Sequence, residues 1–233
     1  TAVAFLSRVR CSKSCLPSSV HSPRRCLNLS ALSLGRCAGF FFAWSSWSHF
    51  DCAVNAACAS TTQALAVAED WLKAGRCDRV IVVGADDVTS ENLLEWIGSG
   101  FMAAGAATTT AEVENAALPF DRRRHGMILG MGAVGLVLER SEDVAARGMA
   151  PIAELLGTHI ANSAFHGTRL DAAHISREVK TFADKVVAAA GVSHREFAEH
   201  CVFLSHETYT PARGGSAAAE MAARRADKGA LAR

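Results

Sequence analysis

From residue 51 onward the apolar positions follow a regular pattern; before it they do not. Between residues 59 and 74, Leu65, Ala68 and Leu72 lie along one stripe with Ala64, Val67 and Trp71 beside it. This predicts a helix with one wide buried face. Gly75 stands where a left-handed residue would close it. The run D-R-V-I-V-V-G-A-D (78–86) then places four apolar residues in succession, which predicts a strand buried on both faces of a sheet. A helix followed by a buried strand is the signature of an α/β layer protein. Ser90 as an N-cap and Glu91 in the first turn predict a second helix over 90–103, and 105–117 reads as a surface loop. M-I-L-G-M-G-A-V-G-L-V-L-E-R (127–140) is a glycine-punctuated strand. Its Gly130, Gly132 and Gly135 are expected to mark close backbone approach or a bulge. They also spell G-x-G-x-x-G, but the dinucleotide fingerprint needs a helix after the glycines, and apolar residues run on to Leu138.

A short helix follows from Ser141, closed by Gly148, and Pro151 marks a boundary. Residues 152–161 read as a strand that opens a second half. The helix expected over 176–190 turns Ile175, Val179, Phe182, Val186 and Val187 inward. Ser193 and Glu196 form a capping box for another turn or two. C-V-F-L-S (201–205) is expected as a buried strand with the loop H-E-T-Y-T-P-A-R-G-G at its end, where sites gather in open α/β sheets.

The first fifty residues differ. They hold no Asp or Glu, eleven serines, and the cations Arg8, Arg10, Lys13, Arg24, Arg25 and Arg36. That is the composition of an organelle transit peptide. Pro17 and Pro23 break any amphipathic helix, and neither helical nor strand period emerges. The chain therefore divides into 1–50, a segment expected to be disordered or mistranslated; 51–150, a first half; and 151–233, the start of a second.

Charge and cysteine usage narrow the classes. A formal net charge of +1 over 233 residues offers no field for nucleic acid. The eight cysteines include no C-x-x-C pair, which disfavours zinc and thioredoxin-like readings, and implies no metal and a reducing, cytoplasmic setting. No run reaches the roughly 18 apolar residues of a membrane span.

One thiol has a different context. In N-A-A-C-A-S-T-T-Q-A-L (55–65), Cys58 falls at the expected start of the first helix, between small residues that would let a substrate approach. Unpaired N–H groups and the macrodipole at a helix N-terminus favour the thiolate. Residues 55–58 would form a tight strand-to-helix turn like other nucleophile elbows. The competing reading is a packed cysteine of the kind common in cores.

A-A-C-A-S-T-T-Q-A-L resembles the active-site cysteine motif of the β-ketoacyl synthases, the condensing enzymes of the thiolase-like superfamily. R-V-I-V-V-G-A-D-D, P-F-D-R-R-R-H-G-M-I-L-G-M-G-A-V-G-L-V-L-E, I-A-E-L-L-G and L-S-H-E-T-Y-T-P-A follow in that family's order, across roughly residues 51–224. The resemblance implies a thiolase-like layered α-β-α-β-α architecture, incomplete at both ends. It implies that Cys58 accepts an acyl group as a thioester, which a decarboxylated malonyl-type extender then attacks. The substrates would be acyl and malonyl thioesters on the phosphopantetheine arm of an acyl carrier protein, with no cofactor bound directly and a homodimer in the intact parent. Two histidines compete for the first catalytic position. His166 sits in a literal H-G-T but follows the wrong strand; His206 lies after 201–205, with Thr208 and Thr210 placed to meet substrate, and is preferred. Glu207 and Tyr209 replace glycines of that motif, and His125 and Met131 stand where the family carries acidic residues. A second catalytic histidine and a glycine-rich closing segment have no counterpart, so the chain is expected to be an inactive piece of a condensing domain. Two alternatives are a non-catalytic module that docks carrier protein, and a Cys/His hydrolase using Cys58 and His206.

Overall fold

Helix α1 (Ser60–Lys73) lies between two small sheets, and its composition explains why. Ala64, Ala68 and Leu72 recur at helical spacing and pack with Val80 and Val82. Ala66 is also buried and shares a different face with Glu69, whose carboxylate accepts a hydrogen bond from Thr158 Oγ1. The helix thus buries two faces, where the hydrophobic pattern suggested one. Alanine makes this possible, because it lets a sheet approach closely on either side.

This computed structural model describes residues 2–7, 40–45, 52–116, 118–163, 171–204, 206 and 210. In chain order the elements are β1 (Ala2–Ser7), β2 (Phe40–Ser45), α1, β3 (Arg79–Asp87), α2 (Glu91–Leu93), α3 (Ser99–Ala103), β4 (Met131–Glu139), α4 (Ser141–Ala146), β5 (Glu154–Ile160), α5 (Ala172–Ala190) and α6 (His194–His200). Strands β2, β3 and β4 form one antiparallel sheet with β3 central, so that Val82 lies opposite both Ala43 and Leu136. Strands β1 and β5 pair antiparallel in a second sheet. Successive residues of a strand point to opposite faces. On β5, Thr158 reaches α1 through Glu69, and His159 reaches α5 through Glu178. The layers therefore run sheet, α1, sheet, α5, which is an α/β arrangement of the expected kind.

Several expectations are corrected. Strand β3 is fully buried on one face only: Val80 and Val82 face α1, while Ile81 and Val83 are half-buried beside Val137, which is 63% exposed. The helix over 90–103 is interrupted by a π turn (Leu94–Gly98) where Gly98 and Gly100 weaken the regular ladder. Strand β4 begins at Met131, and its register with β3 is continuous; a β-carbon at Gly130, Gly132 or Gly135 would meet nothing within 4 Å. Those glycines mark neither a bulge nor a close approach. Helix α5 starts at Ala172 rather than 176, because Asp171 caps it by accepting the His174 N–H at 3.0 Å. Residues 201–204 form no strand, and Val202 and Leu204 are 76% and 88% exposed, while Cys201 and Phe203 are half-buried, Phe203 beside Ile175 and Val179. Of the first fifty residues, 2–7 and 40–45 are described, and they form β1 and β2. A-V-A-F-L-S and F-F-F-A-W-S are each short enough to pair as a single strand, which no amphipathic period would reveal.

The seam between β5 and α5 is closed by Phe182, 1% exposed, whose ring stacks on His159 at a centroid distance of 5.7 Å. Replacing Phe182 with alanine should lower unfolding free energy by about 3–5 kcal/mol, read from denaturant titration. A loss under about 1 kcal/mol would mean that the seam adds little.

Candidate active site

The turn before α1 is built from short-range bonds. Asn55 Oδ1 accepts the Ala57 N–H at 3.2 Å, and Ala56 O accepts the Ala59 N–H at 3.1 Å. Ala57 has φ 49°, the left-handed region that residues with a β-carbon rarely enter. Ser60 Oγ accepts the Ala56 N–H at 2.8 Å and donates to Ala57 O at 2.6 Å. Cys58 follows the strained residue, is exposed, and precedes the N-cap, Ala59. The first turn of α1, S-T-T, carries no acidic side chain, so the positive end of its dipole is not offset locally. An elbow with an exposed thiol at a helix start is the expected arrangement, although it is preceded by isolated bridges instead of a regular strand.

The α1–β3 connection is short, so the start of α1 lies toward the carboxyl end of β3. Here Asp87 accepts from the Thr89 N–H and hydroxyl and from the Ser90 N–H; these bonds, the Thr89 N–H first, hold its carboxyl below the ordinary carboxylate value. The segment that returns from this end into β4 is closed by His125 and Gly126. His125 Nε2 lies 2.8 Å from Asn115 O, which can only accept, so Nε2 carries the proton. Nδ1 lies 2.8 Å from Thr108 Oγ1, and Thr110 Oγ1 lies 3.1 Å from Nε2. Gly126 has φ 140°, and a β-carbon there would lie 2.5 Å from the backbone of Ala107 and Thr108. This is the glycine that the loop requires. Met131, the other residue expected to depart from an acidic pattern, is 73% exposed and pairs with Asp87.

The remaining site candidates lie elsewhere in the chain. His206 is exposed and Thr210 is buried at 3% exposure; both follow α6 without the predicted strand to position them. Thr208 and the rejected candidate His166 lie outside the described residues. Among the described residues, no group of three or more His, Cys, Asp and Glu side chains is placed to hold a metal ion, and no helix is long and apolar enough to cross a membrane. Ser60 was legible only as a small neighbour of the cysteine; its first-turn position in α1 was the available signal for a bracing role.

Residues 50–144 match the family model described as the β-ketoacyl synthase, N-terminal domain. Nodulation protein E of Rhizobium meliloti is 36% identical over 115 residues, which is 49% of this chain and 26% of that protein. The 3-oxoacyl-(acyl-carrier-protein) synthase 2 of Staphylococcus aureus is 32% identical over 112 residues, 48% of this chain and 27% of its own length. The chain thus spans about a quarter of the length of the curated relatives it matches. A β-ketoacyl synthase from Burkholderia phymatum superposes with a TM-score of 0.53 at 25% identity, covering 72% of this chain and 38% of that one. A type II PKS acyl-carrier protein in complex with its ketosynthase bound to the hexaketide gives a TM-score of 0.53 at 23% identity, over 75% of this chain and 40% of that one; it supports the fold alone. The matched segment contains Cys58 and ends before His206.

Two outcomes follow from this geometry. Burial, and secondarily Asp78, push the Cys77 thiol up, against an opposing pull from Arg140. Iodoacetamide near neutral pH should therefore modify Cys58 at least about tenfold faster than Cys77, as read by peptide mass spectrometry; equal rates would count against an accessible nucleophile. Hydrogen bonds from Arg123 hold the Asp121 carboxyl down to about 2, against an ordinary value of 3.8. A lowered folded value stabilises above the unfolded value and is lost as pH falls through the folded one. Wild type should be more stable than Asp121→Asn at pH 5, and the difference should disappear by about pH 2 in chemical denaturation.

Proposed function

Because the chain resembles the β-ketoacyl synthases over residues 50–144 and shares their thiolase-like α/β fold, we propose that it supplies the nucleophilic part of a condensing domain of fatty-acid or polyketide synthesis. The observation that carries this reading is an exposed Cys58 on a braced elbow at the start of a 14-residue helix, inside the matched segment. The Cys58 thiolate attacks the carbonyl of an acyl thioester and releases the carrier thiol, leaving an acyl-Cys58 thioester. A malonyl-type extender then loses carbon dioxide. Its enolate carbon attacks the acyl carbonyl and expels the Cys58 thiolate, giving a 3-ketoacyl thioester. In this reading His206 donates hydrogen bonds that stabilise the enolate as carbon dioxide leaves, and Thr208 and Thr210 meet the extender. Acyl carrier protein presents both thioesters on its phosphopantetheine arm, and the parent acts as a homodimer in the cytoplasm.

A second reading is a non-catalytic module that docks carrier protein without turning over. The 73% exposed Met131, standing where the family carries an acid, favours it. His125 does not, because its ring is fully engaged by Thr108, Thr110 and Asn115 as a loop anchor.

Incubation with an acyl thioester, followed by intact-protein and peptide mass spectrometry, separates the two. The condensing reading expects one acyl adduct, located on Cys58 and absent from Cys58→Ala. An adduct confined to Cys77 or Cys201 would refute it. Carrier-protein binding that survives Cys58→Ala, with no adduct on wild type, would establish the docking module instead. Hydrolysis of the thioester without condensation would point to a Cys/His hydrolase.

A further inference from the structure

Ser60 is the first residue of α1, yet its hydroxyl turns away from the helix and back over the elbow. The residue is 0% exposed. One oxygen joins two peptide groups: it accepts from Ala56 N–H at 2.8 Å and donates to Ala57 O at 2.6 Å. Ala57 O also accepts the Ser60 N–H at 3.1 Å. Ser60 therefore ties the Asn55–Ala56 peptide through its N–H and the Ala57–Cys58 peptide through its carbonyl, which brackets left-handed Ala57. Asn55 adds a third tie through the Ala57 N–H. Alanine has no intrinsic reason to hold φ 49°, so the surrounding bonds must over-determine it. The next residue is Cys58.

We infer that Ser60 is the positioning residue for Cys58: its hydroxyl holds Ala57 in the left-handed conformation that presents the sulfur at the open end of α1. The inference rests on Cys58 being the nucleophile of the proposed condensation and adds a residue that never touches substrate. Without the hydroxyl, Ala57 relaxes toward negative φ, the Cys58 peptide rotates, and the sulfur leaves the line of the helix axis.

The test compares wild type, Ser60→Ala and Ser60→Thr in the full chain. The rate of iodoacetamide modification at Cys58 is measured against pH by peptide mass spectrometry, with half-buried Cys77 in the same digest reporting on the fold. Ser60→Ala should slow Cys58 about tenfold at neutral pH and displace its pH profile upward while Cys77 stays protected. Ser60→Thr, which keeps the hydroxyl, should restore both to within about twofold. Superimposable profiles for Ser60→Ala and wild type would overturn the inference. So would a parallel rise at Cys77, which would make Ser60 a residue of the fold alone. Alkylation requires no acyl transfer, so a wild type that forms no acyl adduct would refute the condensing reading and leave this result intact.

Discussion

Everything that positions the thiol depends on α1 being gripped from both sides. Ala64, Ala68 and Leu72 press on Val80 and Val82, while Glu69 reaches across to Thr158 on the other sheet. A helix held on one face can rotate about its axis. Contacts on a second face remove that freedom, and with it any latitude in where the first turn points. The cost of a double contact is volume, and alanine meets it: Ala64, Ala66 and Ala68 are all buried at 5% exposure or less. Larger residues there would push one sheet away.

The end of the β2–β3–β4 sheet toward which α1 starts is closed by a different device. Between β3 and β4 the chain makes a long excursion, α2 through the π turn to α3, then a loop that returns beside Met127. The loop passes so close to Gly126 that no β-carbon fits, and His125 binds three separate points of it. A carboxylate at 125 could accept bonds from the two threonine hydroxyls but could not donate to Asn115 O. The histidine ring reaches Thr108, Thr110 and Asn115 together.

What the amino-acid order revealed, and what it hid, divides along the range of the interactions. The elbow, α1, its Gly75 terminus and the Ser193 cap of α6 rest on contacts a few residues apart, and all were legible. The setting of Cys58 was legible because its neighbours within five residues define it. Elements governed by distant partners were harder. The second buried face of α1 needs β5, and the one-sided burial of β3 depends on what does and does not cover the sheet. The strand expected over 201–205 has the composition of a strand, but the described residues 201–204 form none, and Val202 and Leu204 are exposed. The three glycines near β4 attracted attention through spacing, whereas the one under steric demand, Gly126, sat in an ordinary-looking H-G pair.

The same division bears on the chemistry. A nucleophile and the group that stabilises its reaction partner are usually assembled from distant parts of a chain. Here the frame around Cys58 is local and braced by a hydroxyl two residues away, so it forms wherever α1 forms. His206 is exposed and follows residues 201–204, which form no strand, and α6, which has seven residues and no buried side chain. Acyl capture by Cys58 asks only for the elbow and the helix start. Condensation asks in addition that the His206 region be held against that elbow.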